Sequence, residues 1–139
     1  YGPHEYYSRY RGVIPIFVYH SLKGLKFTVY RGHKRIFDYV EDTCRTFANI
    51  VDNFVPGEVY NIGGKEEWVI DIEELADIVL EATGASASLA EYKREEGFTT
   101  KVKIVDFSKA RQDLKHDPEI DIREGVLRYV AWAKKVYNI

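Results

Sequence analysis

The 139-residue sequence has no methionine, one cysteine, and no apolar run near the roughly 18 residues that a membrane-spanning helix needs. A lone Cys44 cannot close an internal disulfide, so nothing argues for an oxidising compartment, and a reduced, cytoplasmic setting is the expectation. The opening residues YGPHEYYSRYR are polar, aromatic and basic, unlike the apolar core of a secretory signal. Without an initiator, a chain beginning Tyr1-Gly2-Pro3 is expected to be an internal or C-terminal piece of a longer protein. The ten glycines contain neither a Walker loop nor the spaced glycines of a dinucleotide fingerprint, which excludes NAD binding by that route. His4, His20, His33 and His116 have no Cys or carboxylate partners at metal-ligand spacing, so no metal site is expected.

What is present fits a soluble globular unit: 45% hydrophobic and 30% charged residues, at a length that makes one domain spanning residues 1–139. The net charge of −2 conceals segregation. From Tyr6 to Phe37 there are seven basic residues (Arg9, Arg11, Lys23, Lys26, Arg31, Lys34, Arg35) and no acid, whereas 13 of the acids lie between Asp38 and Glu91. An acid-free stretch with interleaved Tyr and Phe can hold nucleic acid or a small phosphorylated ligand. A pI near 6.1 argues against nucleic acid as the main partner, and a merely solvated basic face is the plain alternative.

Local signals predict mixed α and β structure. Pro15 near the start and Gly24 past the end punctuate a helix over VIPIFVYHSLKG. Lys26 to Tyr30 alternates as a strand, RGHK at positions 31–34 reads as a turn, and Ile36 to Val40 reads as a second extended segment. Cys44, Phe47, Ala48, Val51 and Phe54 recur at helical spacing and predict an apolar face on a helix from Glu41, in which Cys44 is a small core residue. Glu58 to Ile62 predicts a short strand ending at Gly63-Gly64, where missing side chains let a backbone or ligand approach. Asp71 with Glu74, and Asp121 with Glu124, carry N-cap signatures for two further amphipathic helices. A loop with a short strand at Leu89 to Tyr92, an extended Val102 to Val105, and a helix from Asp106 through Leu114 complete the order.

Two stretches match Tyr-x-x-x-Lys, Tyr19 to Lys23 and Tyr30 to Lys34. Eleven Tyr and eleven Lys in 139 positions give roughly one such pair by chance, and neither match has the context of a catalytic helix.

Several segments, in order, resemble the C-terminal part of the extended short-chain dehydrogenase/reductases, the NAD-dependent nucleotide-sugar epimerases and dehydratases. YGPHE resembles the family's YGP motif, and GVIPIFVYHSLKG its substrate-side helix. TVYRGHKRIFDYVEDT resembles V-Y-G-x-G-x-x-R-D-F-x-Y-V-x-D, and GEVYNIGG with the ELADIV helix matches closely. VDFSKARQDLKHDPEIDIREGVLRYVAW resembles the D-x-S-K-A and L-G-W-x-P signature with its terminal helix. The resemblance fits the dTDP-glucose 4,6-dehydratase and UDP-glucose 4-epimerase groups alike. Departures fall where nucleotide and sugar contacts lie. The loop from Tyr30 to Arg35 is shorter, Ile36 replaces the Asp after the motif Arg, Leu114-Lys115-His116 replaces LGW, and residues 92–103 lack Arg-Pro-Gly-Asp.

The resemblance implies an α/β (mixed α+β) substrate domain of a Rossmann-type enzyme, with the strand at Val59 to Ile62 joining a Rossmann sheet that lies outside this chain. The family's catalytic Tyr and Lys and its NAD loop precede the YGP motif, so no catalytic residue is carried over, and NAD belongs to the N-terminal half. Substrate binding does carry over. Arg35 is expected at the diphosphate, Asn61 at the phosphate or nucleotide, Tyr30 at the base, Val13 through its backbone, and Arg94 as a second phosphate cation. A surface ion pair of Arg35 with Asp38 or Glu41 is the competing expectation. The implied partners are a nucleotide-diphosphate sugar, the Rossmann domain and, for the parent enzyme, a second copy in a homodimer. The competing function is a stand-alone nucleotide- or nucleic-acid-binding module using residues 6–37.

Overall fold

In the computed structural model, residues 1–139 are described except Glu95, Glu96 and Phe98. Helix α1 spans Val13–Leu22 and buries Ile14, Phe17 and Val18; Pro15 is tolerated in its first turn, where backbone N–H groups lack helical acceptors anyway. Gly24, at φ +65°, turns the chain into strand β1, Phe27–Tyr30. The alternation of β1 places Phe27 and Val29 in the core and Thr28 and Tyr30 on the opposite, half-open face.

Strand β2 is Lys34–Arg35, earlier and shorter than the extended segment expected at Ile36 to Val40. The bend at Arg31 and Gly32, with Gly32 at φ +78°, is tight enough to bring Lys34 straight into pairing. β2 is central in a small mixed sheet, antiparallel to β3 (Ile70–Asp71) and parallel to β5 (Val102–Lys103). β1 pairs in parallel with β4, Ala90–Lys93, matching the expectation of a strand there within one residue.

Helix α3, Ile72–Thr83, is the centre of the core: Leu75, Ala76 and Val79 are inaccessible between α1, β1 and the last helix α5, Ile122–Tyr137. Both expected N-caps fall where the sequence places them. Asp121 caps with its side chain, accepting from Glu124 N at 2.9 Å. Asp71 occupies the cap position of α3 without a side-chain cap bond, because it is also the β3 residue opposite Lys34, whose Nζ lies 3.6 Å from its carboxylate. Gly84 ends α3 at φ +70°.

Helix α2, Val40–Asn53, forms where expected but faces the other way. Cys44 is exposed, and Phe47, Val51 and Phe54 are 59%, 84% and 66% exposed. The polar stripe is turned inward instead. Asp42 Oδ2 accepts from Ile120 N at 3.0 Å, Thr46 Oγ1 lies 2.6 Å from His116 Nδ1, and Asn49 Nδ2 donates to Leu114 O at 3.1 Å. His116 Nε2 reaches Gly63 O at 2.8 Å, and a carbonyl can only accept, so Nε2 is a ring donor. Asp42, Thr46 and His116 are all buried, so this relay ties α2 to the Gly63 turn and to the segment after helix α4, Ser108–Leu114. α4 starts two residues later than expected, because Asp106 accepts from Ser108 N at 2.9 Å in a turn that precedes it. Lys115, where the family signature has Gly, takes φ +55° to end α4.

Residues 58–62, expected to join a sheet outside this chain, pair with no described strand within it, and Val59 is 82% exposed. Strand propensity alone makes no ladder. An apolar helix face and a strand-prone segment thus lie open on the part of the chain that lies between β2 and β3.

Thr46→Val leaves the buried His116 Nδ1 without its hydrogen-bond partner and is expected to cost about 1–3 kcal/mol, read as a lower urea midpoint at unchanged m-value. Replacing both Phe47 and Val51 by Lys removes no core contact. Stability is expected to hold within about 0.5 kcal/mol while concentration-dependent association in sedimentation velocity falls; an equal loss of stability would show that this face is packed in the chain itself.

Candidate functional site

A cleft of about 450 Å³ opens between the start of α1 and the two small sheets. Its apolar wall comes from Val13, Ile16 and Phe17 of α1; facing them are Tyr30 at the end of β1, His33 from the turn, and Arg35 of β2. Three of the five sequence-predicted residues, Val13, Tyr30 and Arg35, therefore meet in one cavity. Asn61 and Arg94 do not line it: Asn61 is exposed in the segment before Gly63-Gly64, and Arg94 is exposed in the bend after β4.

Gly12, the N-cap of α1, offers no side-chain acceptor, and the first turn contains no acid, so the partial positive charge of that helix end is not neutralised from within the helix. Val13 sits at that end. Arg35 forms neither ion pair considered from sequence. Its Nη1 donates to Lys34 O at 2.7 Å and Lys101 O at 3.0 Å, and its Nη2 to Thr100 O at 2.6 Å. Three of the five guanidinium N–H groups thus clasp the 100–101 backbone against β2, while the charge stays beside the cleft. His33 is buried, with Nδ1 3.3 Å from Thr100 O and its carbonyl accepting from Ile72 N at 3.0 Å. Sequence reading placed His33 on a polar turn; only its long-range contacts reveal it as a wall of the cavity.

A second cleft, about 670 Å³, lies on the other side of Phe37 and is lined by Pro3, His4, Glu5, Asp38 and Thr43. Tyr1 braces it. Its amino nitrogen donates to Asp38 O at 2.8 Å, its carbonyl accepts from Val40 N at 2.9 Å, and its ring fills the space over Gly125 that any Cβ would occupy. Asp38 has a carboxyl pushed above the usual carboxylate range, chiefly by burial and also by the nearby Asp42 charge, against the opposing pull of the Tyr1 amino group, His116 and the Gly64 N–H. Its Oδ1 is buried without a hydrogen-bond partner.

The Gly63-Gly64 pair does not leave room for a ligand. A Cβ on Gly63 would lie 3.0 Å from the Val105 side chain and one on Gly64 2.6 Å from that of Ile36, so the chain's own side chains fill the approach. Among the described residues no group of three or more His, Cys, Asp or Glu is placed to hold a metal, and no helix is long and apolar enough to cross a membrane.

No model of a protein family matches the chain. The dTDP-glucose 4,6-dehydratase of an Actinoplanes species is 35% identical over 95% of the chain, which covers 40% of that relative. UDP-glucose 4-epimerase of Thermotoga maritima, solved with UDP-glucose, superposes with a TM-score of 0.86 at 26% identity over 99% of this chain and 44% of its own. The dTDP-glucose 4,6-dehydratase of Streptomyces venezuelae, solved with NAD and TYD bound, superposes with a TM-score of 0.85 at 26% identity over 99% of this chain and 42% of its own. The fold is thus that of the C-terminal portion of a Rossmann-type enzyme. The chain is similar to the C-terminal portion of nucleotide-sugar epimerases and dehydratases of the extended short-chain dehydrogenase/reductase type. It spans about two fifths of the length of the curated relatives it matches.

Because the pKa of Asp38 is raised on folding, its contribution to stability is present below the unfolded-state value and is lost as pH rises through the folded-state value. Asp38→Asn is expected to melt higher than the parent at pH 7, with the gap closing as pH falls through the carboxylate range; a gap independent of pH would contradict the assignment.

Proposed function

We propose that the chain binds and positions a nucleotide-diphosphate sugar for NAD-dependent oxidation at sugar C4, leading to epimerisation or 4,6-dehydration in the full-length enzyme. The observation that carries this reading is the single cleft in which Val13, Tyr30 and Arg35 converge. Tyr30 offers a ring for a base, the uncapped start of α1 favours an anion, and Arg35 keeps positive charge on the same wall. Orientation is the contribution of such a domain, since a displaced sugar reacts slowly whatever the cofactor does. NAD is held by the remainder of the enzyme in this reading, and no step of its chemistry is assigned to residues of this chain.

The same remainder is the proposed cover for the open face of α2. A sheet edge pairing with residues 58–62 and an apolar surface laid on Phe47, Val51 and Phe54 would supply what the chain leaves unpaired. The nucleic-acid alternative is weakened by how the basic segment is spent. Lys26 pairs with Glu91 at 2.7 Å, Lys34 with Asp71, Arg31 lies over the Tyr92 ring at 5.0 Å, and Arg35 holds carbonyls. A stripe tracking a phosphate backbone needs those cations free.

Titration calorimetry of the chain with UDP-glucose and dTDP-glucose is expected to show saturable binding of one of them. Tyr30→Ala should weaken it by about 1–3 kcal/mol through lost stacking. Tight, salt-sensitive binding of an oligonucleotide with none of either sugar nucleotide would replace this reading with the nucleic-acid one.

A further inference from the structure

The chain from His4 to Arg11 runs as a strap between two turns. At its start Glu5 N donates to Gly2 O at 3.1 Å, with Pro3 and His4 at the corner. His4 takes φ +73°, a left-handed conformation usually left to glycine and held by a histidine only where its surroundings enforce it. At its end Arg11 N donates to Ser8 O at 3.1 Å, just ahead of α1. Both ends face open space. Pro3, His4 and Glu5 line the larger cleft, and Arg11 lines both clefts beside Phe37, so the two meet there.

The middle of the strap faces the other way, onto α1 and α5. Tyr7 N donates to Tyr137 Oη at 2.8 Å, and Tyr129 Oη donates to Glu5 O at 2.5 Å. Two hydroxyls of the last helix thus satisfy two backbone groups of a segment that has no strand to pair with among the described residues. The Tyr7 ring stacks on Tyr19 of α1 with centroids 4.1 Å apart. Its hydroxyl lies 3.2 Å from His20 Nε2, while Nδ1 of that ring donates to Lys26 O at 2.7 Å. Tyr6 closes on Trp132 at 5.3 Å. Neither Tyr129 nor Tyr137 lines a cleft.

We infer that residues 4–11 are a strap clamped by the last helix, and that Tyr129 and Tyr137 are positioning residues: they set where the two ends of the strap stand in the clefts without touching what the clefts hold. The backbone conformation of His4 opposes the clamp, so removing one hydroxyl shifts the strap toward an open state. The clamp is independent of the nucleotide-sugar reading above; its consequence for binding rests on that reading.

Tyr129→Phe and Tyr137→Phe keep the rings and remove one clamp bond each. Tyr60→Phe, which removes a hydroxyl donating to Asp113 Oδ2 at 2.9 Å, is the control. Trypsin cleavage of the native chain after Arg9 and Arg11, both exposed, and hydrogen exchange of residues 4–11 read strap opening, and exchange of α3 reads global opening. The expected result is cleavage and strap exchange about 2- to 10-fold faster in each clamp variant, as the loss of one hydrogen bond predicts, with α3 unchanged and Tyr60→Phe like the parent. Affinity for UDP-glucose or dTDP-glucose, measured by calorimetry, is expected to fall by a similar factor in the clamp variants. Strap exchange that does not rise, or rises only together with that of α3, overturns the clamp. A strap that opens while sugar-nucleotide affinity stays at the parent value overturns the positioning role and leaves the nucleotide-sugar reading standing. If the parent chain binds neither sugar nucleotide, that reading falls and the positioning role with it, while strap-selective exchange still decides the clamp.

Discussion

A buried polar group must find a hydrogen-bond partner, and the placement of α2 follows from that requirement. Asp42, Thr46 and Asn49 lie on one stripe of the helix, and the chain supplies a partner for each: the Ile120 amide, the His116 ring and the Leu114 carbonyl. Once those bonds are made, the apolar stripe of the same helix has no choice but to face outward. The His116 ring extends the constraint by bonding Gly63 O, so the segment after α4, the glycine pair and α2 are tied together. Val40 and Thr43, at the start of α2, thereby become walls of the larger cleft.

The same economy governs the arginines. Three of the seven cations between Tyr6 and Phe37 hold the small sheets together, through Lys34 on Asp71 across β2 and β3, Lys26 on Glu91 across β1 and β4, and Arg35 on the backbone leading into β5. Exposed pairs of this kind contribute little energy each. Their effect is positional: they set the walls of the smaller cleft.

How much of this is legible in the residues depends on whether the signal is local. α1, α3, α5 and β1 are punctuated by Pro15, Gly24, Gly84 and Asp121 and lie where those residues place them. The convergence of Val13, Tyr30 and Arg35 in one cavity is consistent with the family resemblance, although the resemblance also pointed to Asn61 and Arg94, which lie elsewhere. The apolar periodicity of α2 is equally clear in sequence, yet periodicity reports only that one face is apolar and not which face the chain covers. The strand expected at Glu58 to Ile62 shows the same limit, because a ladder needs a second strand that no local pattern can provide.

The sequence by itself determined the order and type of most elements and the segregation of charge, since caps, turns and apolar spacing act over a few residues. Tertiary structure decided which face of α2 is buried, which cations are consumed, that His33 and His116 are interior, and that two clefts meet at Arg11 and Phe37. Those outcomes depend on partners far apart along the chain, such as Thr46 with His116 and Arg35 with Thr100, and only the folded chain brings them within hydrogen-bond reach.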